Sequence, residues 1–99
     1  MEEAIMELIM NAGCARSKAM ESIMKVKEGN LEETKKSMEE ADEFLSNAHN
    51  VQTKLIQEEA AGKKTEINLL MVHAQDHLMN AMTIKDLAKE IIEMYEKFS

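Results

Sequence analysis

The sequence predicts an all-α protein built as an up-down-up antiparallel three-helix bundle. Its 99 residues contain no proline and three glycines, and helix-forming Ala, Met, Leu, Glu and Lys dominate. No stretch alternates apolar and polar residues with the period of two that is typical of a half-buried strand. Gly29 and Gly62 divide the chain into three long segments. Short links between long helices favour antiparallel neighbours.

The first helix, predicted over residues 2–28, is apolar on two adjacent stripes. One stripe comprises Ile5, Leu8, Ala12, Ala15, Ala19, Ile23 and Val26. The other comprises Met6, Met10, Met20 and Met24, with Gly13 and Ser17 between them. Two neighbours within one chain need less apolar width than this. Either the methionines pad an ordinary core, or part of this face packs against another copy of the chain.

The second helix is predicted over residues 31–61, with Asn30 as its N-cap and Glu32 and Glu33 in its first turn. Gly62 ends it in the left-handed conformation. Its apolar stripe is narrower and comprises Met38, Ala41, Phe44, Leu45, Ala48, Val51 and Leu55. His49 lies on the polar side of this helix and is predicted to be a solvated surface histidine.

The third helix is predicted over residues 65–97, with Thr65 as its cap. Two lines of residues repeat at heptad spacing. The first comprises Ile67, Ala74, Ala81, Ala88 and Tyr95, and the second Leu70, His77, Ile84, Ile91 and Phe98. The alanines allow neighbouring helices to approach closely. His77 is the polar interruption of an apolar line, and such interruptions often mark functional sites.

Composition limits the classes of function. The length suits one domain, residues 1–99, and the net charge of −7 disfavours nucleic acid and anionic lipid as partners. No apolar run approaches the roughly 20 residues that cross a bilayer, and the first residues are acidic where a signal peptide is basic. The single cysteine, Cys14, excludes an intrachain disulfide and is predicted to be a small buried hydrophobe. These features predict a cytoplasmic protein without membrane insertion.

The distinctive chemistry is concentrated on the third helix. His73 is a neighbour of Asp76 at i+3 and of His77 at i+4, so two imidazoles and a carboxylate share one patch. Three interpretations follow from this spacing alone: a structural histidine pair, a zinc site, or a nucleophilic histidine that Asp76 or His77 orients. An ordinary imidazole is largely neutral at pH 7 and can act as a nucleophile.

Several chemistries lack their usual residues here. The metalloprotease pattern requires Glu where Ala74 stands, and no third nitrogen or sulfur ligand is evident near the two histidines. No Ser or Cys nucleophile adjoins the cluster, which disfavours a hydrolytic triad. No glycine-rich loop is present to hold a nucleotide. A phosphoryl donor for this site must therefore be another protein or a small molecule.

The segment HAQDHLM at residues 73–79 resembles the active-site segment of a bacterial transport family. The family is the lactose/cellobiose (chitobiose) IIA components of the phosphoenolpyruvate-dependent sugar phosphotransferase system. The resemblance extends over the whole chain, through residues 9–17 of the first helix, 41–48 of the second and 85–88 after the motif. The seven-residue motif shows no departure from the family pattern.

The resemblance implies a function, an assembly and roles for single residues. Family members are three-helix bundles that form homotrimers. The histidine that matches His73 accepts a phosphoryl group from the carrier HPr and passes it to a cysteine of the IIB component. The aspartate that matches Asp76 lies on the threefold axis, where three copies bind a metal ion. The resemblance thus implies a phosphotransferase component with a phosphohistidine intermediate.

Elementary electrostatics constrains the role of Asp76 in such a trimer. Three carboxylates brought together away from water repel one another unless protons or a hard cation neutralise them. Repulsion alone leaves protons and a hard cation both open, and the resemblance implies the cation, Mg²⁺ or another divalent ion, with Asp76 as an assembly residue. His77 is expected to orient His73 or to donate a hydrogen bond to the phosphoryl group. Met71, Met79 and Met82 are candidates for a docking surface around His73.

Two rival functions have different partners. A non-catalytic helical adaptor would bind a partner helix along the methionine-rich face of the first helix. A histidine-phosphotransfer domain of two-component signalling also has a surface histidine on a helical bundle, but its core typically has four helices. The choice of phosphoryl donor separates them: HPr for the sugar system, an aspartyl-phosphate receiver for signalling, and neither for an adaptor.

Overall fold

The computed structural model describes residues 2–98, which form three α-helices and no strand. Helix α1 spans Glu2–Lys27, α2 spans Leu31–Ala60 and α3 spans Leu69–Phe98. Together they make an elongated bundle of 52 × 19 × 19 Å. The predicted all-α class and three-helix bundle are confirmed. Met1 and Ser99, which the predicted domain of residues 1–99 includes, lie outside the described residues.

Both predicted glycine stops end their helices by the same backbone geometry. Gly29 has a φ of +79°, and Gly62 has a φ of +92°. At the first stop, the Gly29 N–H donates to the Val26 carbonyl and the Asn30 N–H donates to the Lys25 carbonyl, both at 3.0 Å. These two bonds satisfy carbonyls that the end of a helix leaves without partners. Asn30 then caps α2 as predicted, because its Oδ1 accepts from the Glu33 N–H at 3.1 Å.

The predicted start of α3 at Thr65 is wrong by four residues, because Asn68 is the cap. Asn68 Oδ1 accepts a hydrogen bond of 2.9 Å from the Met71 N–H, and α3 begins at Leu69. An asparagine side chain at this position satisfies a backbone donor that the first turn leaves unpaired. Residues 61–68 therefore form a connection between α2 and α3, and His73 lies in the second turn of its helix.

Alanine-rich lines let α1 pack closely against both other helices. The main core cluster centres on Leu8 and Leu78, which are fully buried. Around them lie five alanines that are also fully buried, Ala12, Ala15, Ala48, Ala74 and Ala81. Helix α1 packs extensively on α2 and on α3, whereas α2 and α3 touch each other sparsely. The three alanines of the line predicted for α3 are thus confirmed as core residues, whereas Ile67 and Tyr95 at its two ends are exposed.

Ion pairs connect helices at the surface of the bundle. Lys18 of α1 lies 3.3 Å from Glu40 of α2, and Lys85 of α3 lies 3.1 Å from Asp42 of α2. A hydrogen bond to Glu21, followed in size of effect by one to Glu40, raises the pKa of Lys18 above its ordinary value. Solvent reaches all four side chains, so each pair contributes little to stability.

The second apolar stripe of α1 is left uncovered within the chain. Its four methionines, Met6, Met10, Met20 and Met24, are all exposed, from 45% to 63%. This finding excludes the interpretation that they pad the core of a single chain. None of the helices within residues 2–98 combines the length and the hydrophobicity that spanning a bilayer requires.

Candidate functional site

The two histidines of α3 form an edge-to-face pair. Their ring centroids are 4.8 Å apart, and the ring planes make an angle of 79°. His73 is exposed and His77 is half-buried. Because the pair is one helical turn apart, the α-helix itself brings the rings together. An accessible imidazole is thus held beside a second imidazole that is partly shielded from water.

Asp76 does not join this pair, although it lies at i+3 from His73. Its Oδ2 accepts a hydrogen bond of 3.5 Å from Asn80 Nδ2, and the residue is exposed. Among residues 2–98, the side chains of His73 and His77 form no hydrogen bond and no ion pair. Of the two residues that were candidates to orient His73, His77 lies in ring contact with it, whereas Asp76 is bonded to Asn80.

Asp76 instead belongs to an exposed stripe along α3. The stripe continues at helical spacing through Val72, Asp76, Met79, Thr83, Leu87, Glu90 and Met94. Val72, Met79, Leu87 and Met94 are each more than half exposed. The stripe runs along the outer face of the helix that carries His73, with apolar residues at four of its seven positions and carboxylates at Asp76 and Glu90.

His77 lines a concavity on the other flank of His73. The concavity has a volume of about 500 Å³, and residues of α1 form most of it, including Met10, Gly13 and Cys14. Cys14 is half-buried, so it is less enclosed than the predicted buried hydrophobe. His49 is exposed on α2 as predicted and lines a separate concavity with Leu45 and Met82.

The methionines expected around His73 divide into two groups. Met71 is 6% exposed and belongs to the core, so its predicted place in a docking surface is wrong. Met79 is 53% exposed and Met82 is half-buried, so both remain accessible. The difference follows from the helical wheel, because Met71 lies on the same side of α3 as Gln75 and Leu78, facing the bundle.

A single chain offers no complete metal site. Within residues 2–98, no three His, Cys, Asp or Glu side chains come close enough to hold an ion. The zinc interpretation of the His73–His77 pair therefore lacks its third ligand. Asp76 supplies a single exposed carboxylate, and a metal at this residue needs ligands from other copies of the chain.

Comparison with protein families and known proteins gives one consistent answer. The family model described as "PTS system, Lactose/Cellobiose specific IIA subunit" matches residues 3–96. The lichenan-specific phosphotransferase enzyme IIA component of Bacillus subtilis (strain 168) is 59% identical over 99 residues, covering 100% of this chain and 90% of the relative.

The chain belongs to the lactose/cellobiose-specific IIA family.

Further members support the assignment at the level of structure. The N,N'-diacetylchitobiose-specific EIIA component of Escherichia coli (strain K12) is 43% identical over 97 residues, covering 98% of this chain and 84% of the relative. The crystal structure of the cellobiose-specific enzyme IIA of Bacillus anthracis superimposes with a TM-score of 0.94 at 51% identity, covering 97% and 88% of the two chains. The resemblance that the motif at residues 73–79 suggested is thereby confirmed.

A structure of a complex is also similar to this chain. The solution structure of the Escherichia coli IIA(Chitobiose)–HPr complex has a TM-score of 0.83 at 43% identity, covering 97% of this chain and 93% of its match. That IIA protein binds HPr.

One contact beside the IIA motif was not predicted from the sequence. Gln52 of α2 donates a hydrogen bond of 2.7 Å from Nε2 to Oε1 of Gln75, which stands between His73 and Asp76 in the motif. Both glutamines are half-buried. A glutamine on a predicted polar face carries no signal of a partner 23 residues away. The hydrogen bond becomes evident only from the packing of α2 against α3 in the structure.

Proposed function

We propose that this IIA protein is a phosphohistidine carrier that accepts a phosphoryl group from HPr on His73 and passes it to the cysteine of a IIB component. The observation that carries the proposal is the exposed His73 ring, held edge-on to His77 within the family motif. The known complex of a IIA relative with HPr supports the choice of donor.

Each transfer exchanges one bond to phosphorus for another. A neutral ring nitrogen of His73 attacks the phosphorus of phospho-HPr, and the N–P bond to His73 forms as the N–P bond to HPr breaks. In the second step, the thiolate of IIB forms an S–P bond as the His73–phosphorus bond breaks. Such transfers depend mainly on positioning and on stabilisation of charge on the phosphoryl oxygens.

The carrier itself contributes few positive charges to this step. The chain has a net charge of −7, and no Arg or Lys stands within one turn of His73 along α3. We therefore assign the stabilising donors to His77 and to basic groups of the partners.

We further propose that the working form is a homotrimer. The exposed stripe of α3 and the uncovered methionines of α1 are two apolar faces that a single chain leaves in water. In a trimer built around α3, Asp76 would come from each copy to a common axis. Three carboxylates fit the oxygen preference of Mg²⁺ or another divalent cation, which would neutralise their repulsion there.

A carrier between HPr and IIB has to share their compartment. We accordingly propose that the protein acts in the cytoplasm, on the cytoplasmic side of sugar uptake, without inserting into the membrane.

Phosphorylation followed by intact mass measurement tests the proposed site. The wild type is incubated with phosphoenolpyruvate, enzyme I and HPr, beside His73→Ala and the control His49→Ala, which removes an exposed histidine of α2. We expect the wild type and His49→Ala to gain one acid-labile phosphoryl group and His73→Ala to gain none. No gain on the wild type would refute the carrier function, and a gain on His73→Ala would place the phosphate on another residue.

A further inference from the structure

We propose that Gln52 on α2 is a positioning residue for His73, a role that rests on the phosphocarrier function proposed above. Its Nε2 donates a hydrogen bond of 2.7 Å to Oε1 of Gln75 on α3. This bond joins two helices that otherwise touch sparsely. It does so two residues from His73 along the chain, on the helix that carries the site.

The bond is one link in a chain of contacts that reaches the start of α3. Gln75 Nε2 donates to Sδ of Met71 at 3.7 Å, and the Met71 N–H donates to Oδ1 of the cap residue Asn68 at 2.9 Å. The contacts run from α2 through the inward side of the first two turns of α3. Gln52 is the member of this chain that belongs to another helix.

The segment around His73 has little else to hold it. His73 is the fifth residue of α3, and helix ends open more readily than helix centres. Of the four residues before it, Leu69 is 85% exposed and Leu70 is 39% exposed, and Val72 belongs to the stripe that the proposed trimer covers. Burial of Met71 and Ala74 supplies the apolar contacts of this turn. A half-buried hydrogen bond to α2 is therefore a substantial part of what orders it.

The geometry links that bond to the direction of the His73 ring. Gln75 lies about 200° around the helix from His73, at 3.6 residues per turn. Holding Gln75 against α2 therefore keeps His73 directed away from α2 and beside His77. Since phosphoryl transfer depends on accurate placement of the nucleophile, loss of the bond slows transfer without removing any reacting group.

Gln52→Leu tests this role because it keeps a similar side-chain volume and removes the hydrogen bond. At saturating phospho-HPr, we expect the rate of phosphoryl acceptance to fall about tenfold, with the half-saturating donor concentration unchanged within about twofold. Backbone amides of residues 73–77 should exchange with deuterium faster, while amides in the centre of α1 keep their protection. Gln52→Asn, which is one methylene shorter, should behave in the same way.

Gln52→Glu is the rescue variant. Once the Gln75 amide rotates by about 180°, its Nε2 can donate to this carboxylate in place of Met71 Sδ, so we expect most of the rate and the slow exchange at residues 73–77 to return. Lys85→Met is the matched control, because it breaks a different polar contact between α2 and α3, the ion pair with Asp42. Lys85 lies about 18 Å along α3 from His73, and this variant should keep the wild-type rate.

Two results would overturn the positioning role while leaving the carrier function intact. One is a wild-type rate and wild-type exchange in Gln52→Leu. The other is an equal loss of rate in Lys85→Met, which would mean that loosening of the α2–α3 contact anywhere has the same effect. A wild type that accepts no phosphoryl group refutes the carrier function itself. In that case, faster exchange in Gln52→Leu would show only that Gln52 stabilises the fold, and the positioning role would be refuted as well.

Discussion

At the scale of single residues, the site consists of two imidazoles that one helical turn brings together. The exposed ring of His73 can meet a partner, and the half-buried ring of His77 supports it from the side of α1. Asp76 is engaged with Asn80 and lies on a different face of α3. The proposed chemistry and the proposed assembly are therefore assigned to neighbouring residues that point in different directions.

Replacing His77 separates its proposed role from simple packing. We expect His77→Ala to slow phosphoryl acceptance about tenfold, the equivalent of one hydrogen bond of roughly 1.4 kcal/mol. His77→Gln keeps an N–H donor and should retain more of the rate than alanine. Rates are measured with phospho-HPr in a rapid-quench experiment, with circular dichroism as a check on the fold. Acceptance by His77→Ala at the wild-type rate would mean that His77 only packs against α1.

At the scale of helices, the late start of α3 determines where His73 lies. A helix that began at Thr65 would have carried His73 in its third turn. Capping by Asn68 moves it to the second turn, next to the connection formed by residues 61–68. The site consequently lies near the end of a helix, where local opening is easiest and where contacts with α2 matter most.

Alanine substitution at the two candidate caps decides between them. We expect Asn68→Ala to lower the free energy of unfolding by about 1 kcal/mol, the usual contribution of an N-cap side chain. Thr65→Ala should have a smaller effect, because Thr65 does not cap α3 in the structure. Urea denaturation followed by circular dichroism measures both. A larger loss in Thr65→Ala than in Asn68→Ala would support the earlier helix start.

At the scale of the whole molecule, the chain leaves two apolar surfaces in water. One is the stripe of methionines on α1, and the other is the stripe of α3 that contains Asp76. The interior is already filled by alanines and a few larger residues such as Leu8 and Leu78, so the uncovered side chains have no place inside one chain. This distribution favours the proposed homotrimer.

Asp76→Leu tests whether a metal ion stabilises the three carboxylates at the proposed axis. We expect Mg²⁺ to stabilise the wild-type protein against thermal unfolding, by about 2.7 kcal/mol when free Mg²⁺ is at 100 times its dissociation constant. A chelator should remove this stabilisation. Asp76→Leu should stay trimeric, because the mutual repulsion of the carboxylates is gone. It should still accept the phosphoryl group. Its stability should not respond to Mg²⁺, because the carboxylate ligands are gone.

Light scattering with thermal unfolding provides the readout for that variant. Glu43→Leu, which removes an exposed carboxylate of α2, is the control and should respond to Mg²⁺ as the wild type does. An Asp76→Leu protein that remained trimeric but lost phosphoryl acceptance would give Asp76 a part in the reaction and contradict its assignment to assembly.

Much of the fold follows from local properties of the sequence. The absence of proline, the two glycines with positive φ and the cap at Asn30 determine where helices can run and where α1 and α2 end. The heptad line of alanines determines which side of α3 faces the core. The motif at residues 73–79 pointed to the IIA family and to His73 through its resemblance to the active-site segment of that family. The pairing of His73 with His77 follows from spacing, because a helix brings residues at i and i+4 together whatever it packs against.

Only the tertiary structure decided the features that depend on where one helix meets another. It showed that Gln52 reaches Gln75, that Met71 is buried while Met79 is exposed, and that the methionines of α1 find no partner within the chain. The physical reason is that helix periodicity records which residues share a face, whereas the rotation and depth at which two faces meet depend on side chains distant in sequence. The sequence by itself thus determined the helices and pointed to His73 as the proposed reactive residue, and packing determined which contacts surround the helix that carries it.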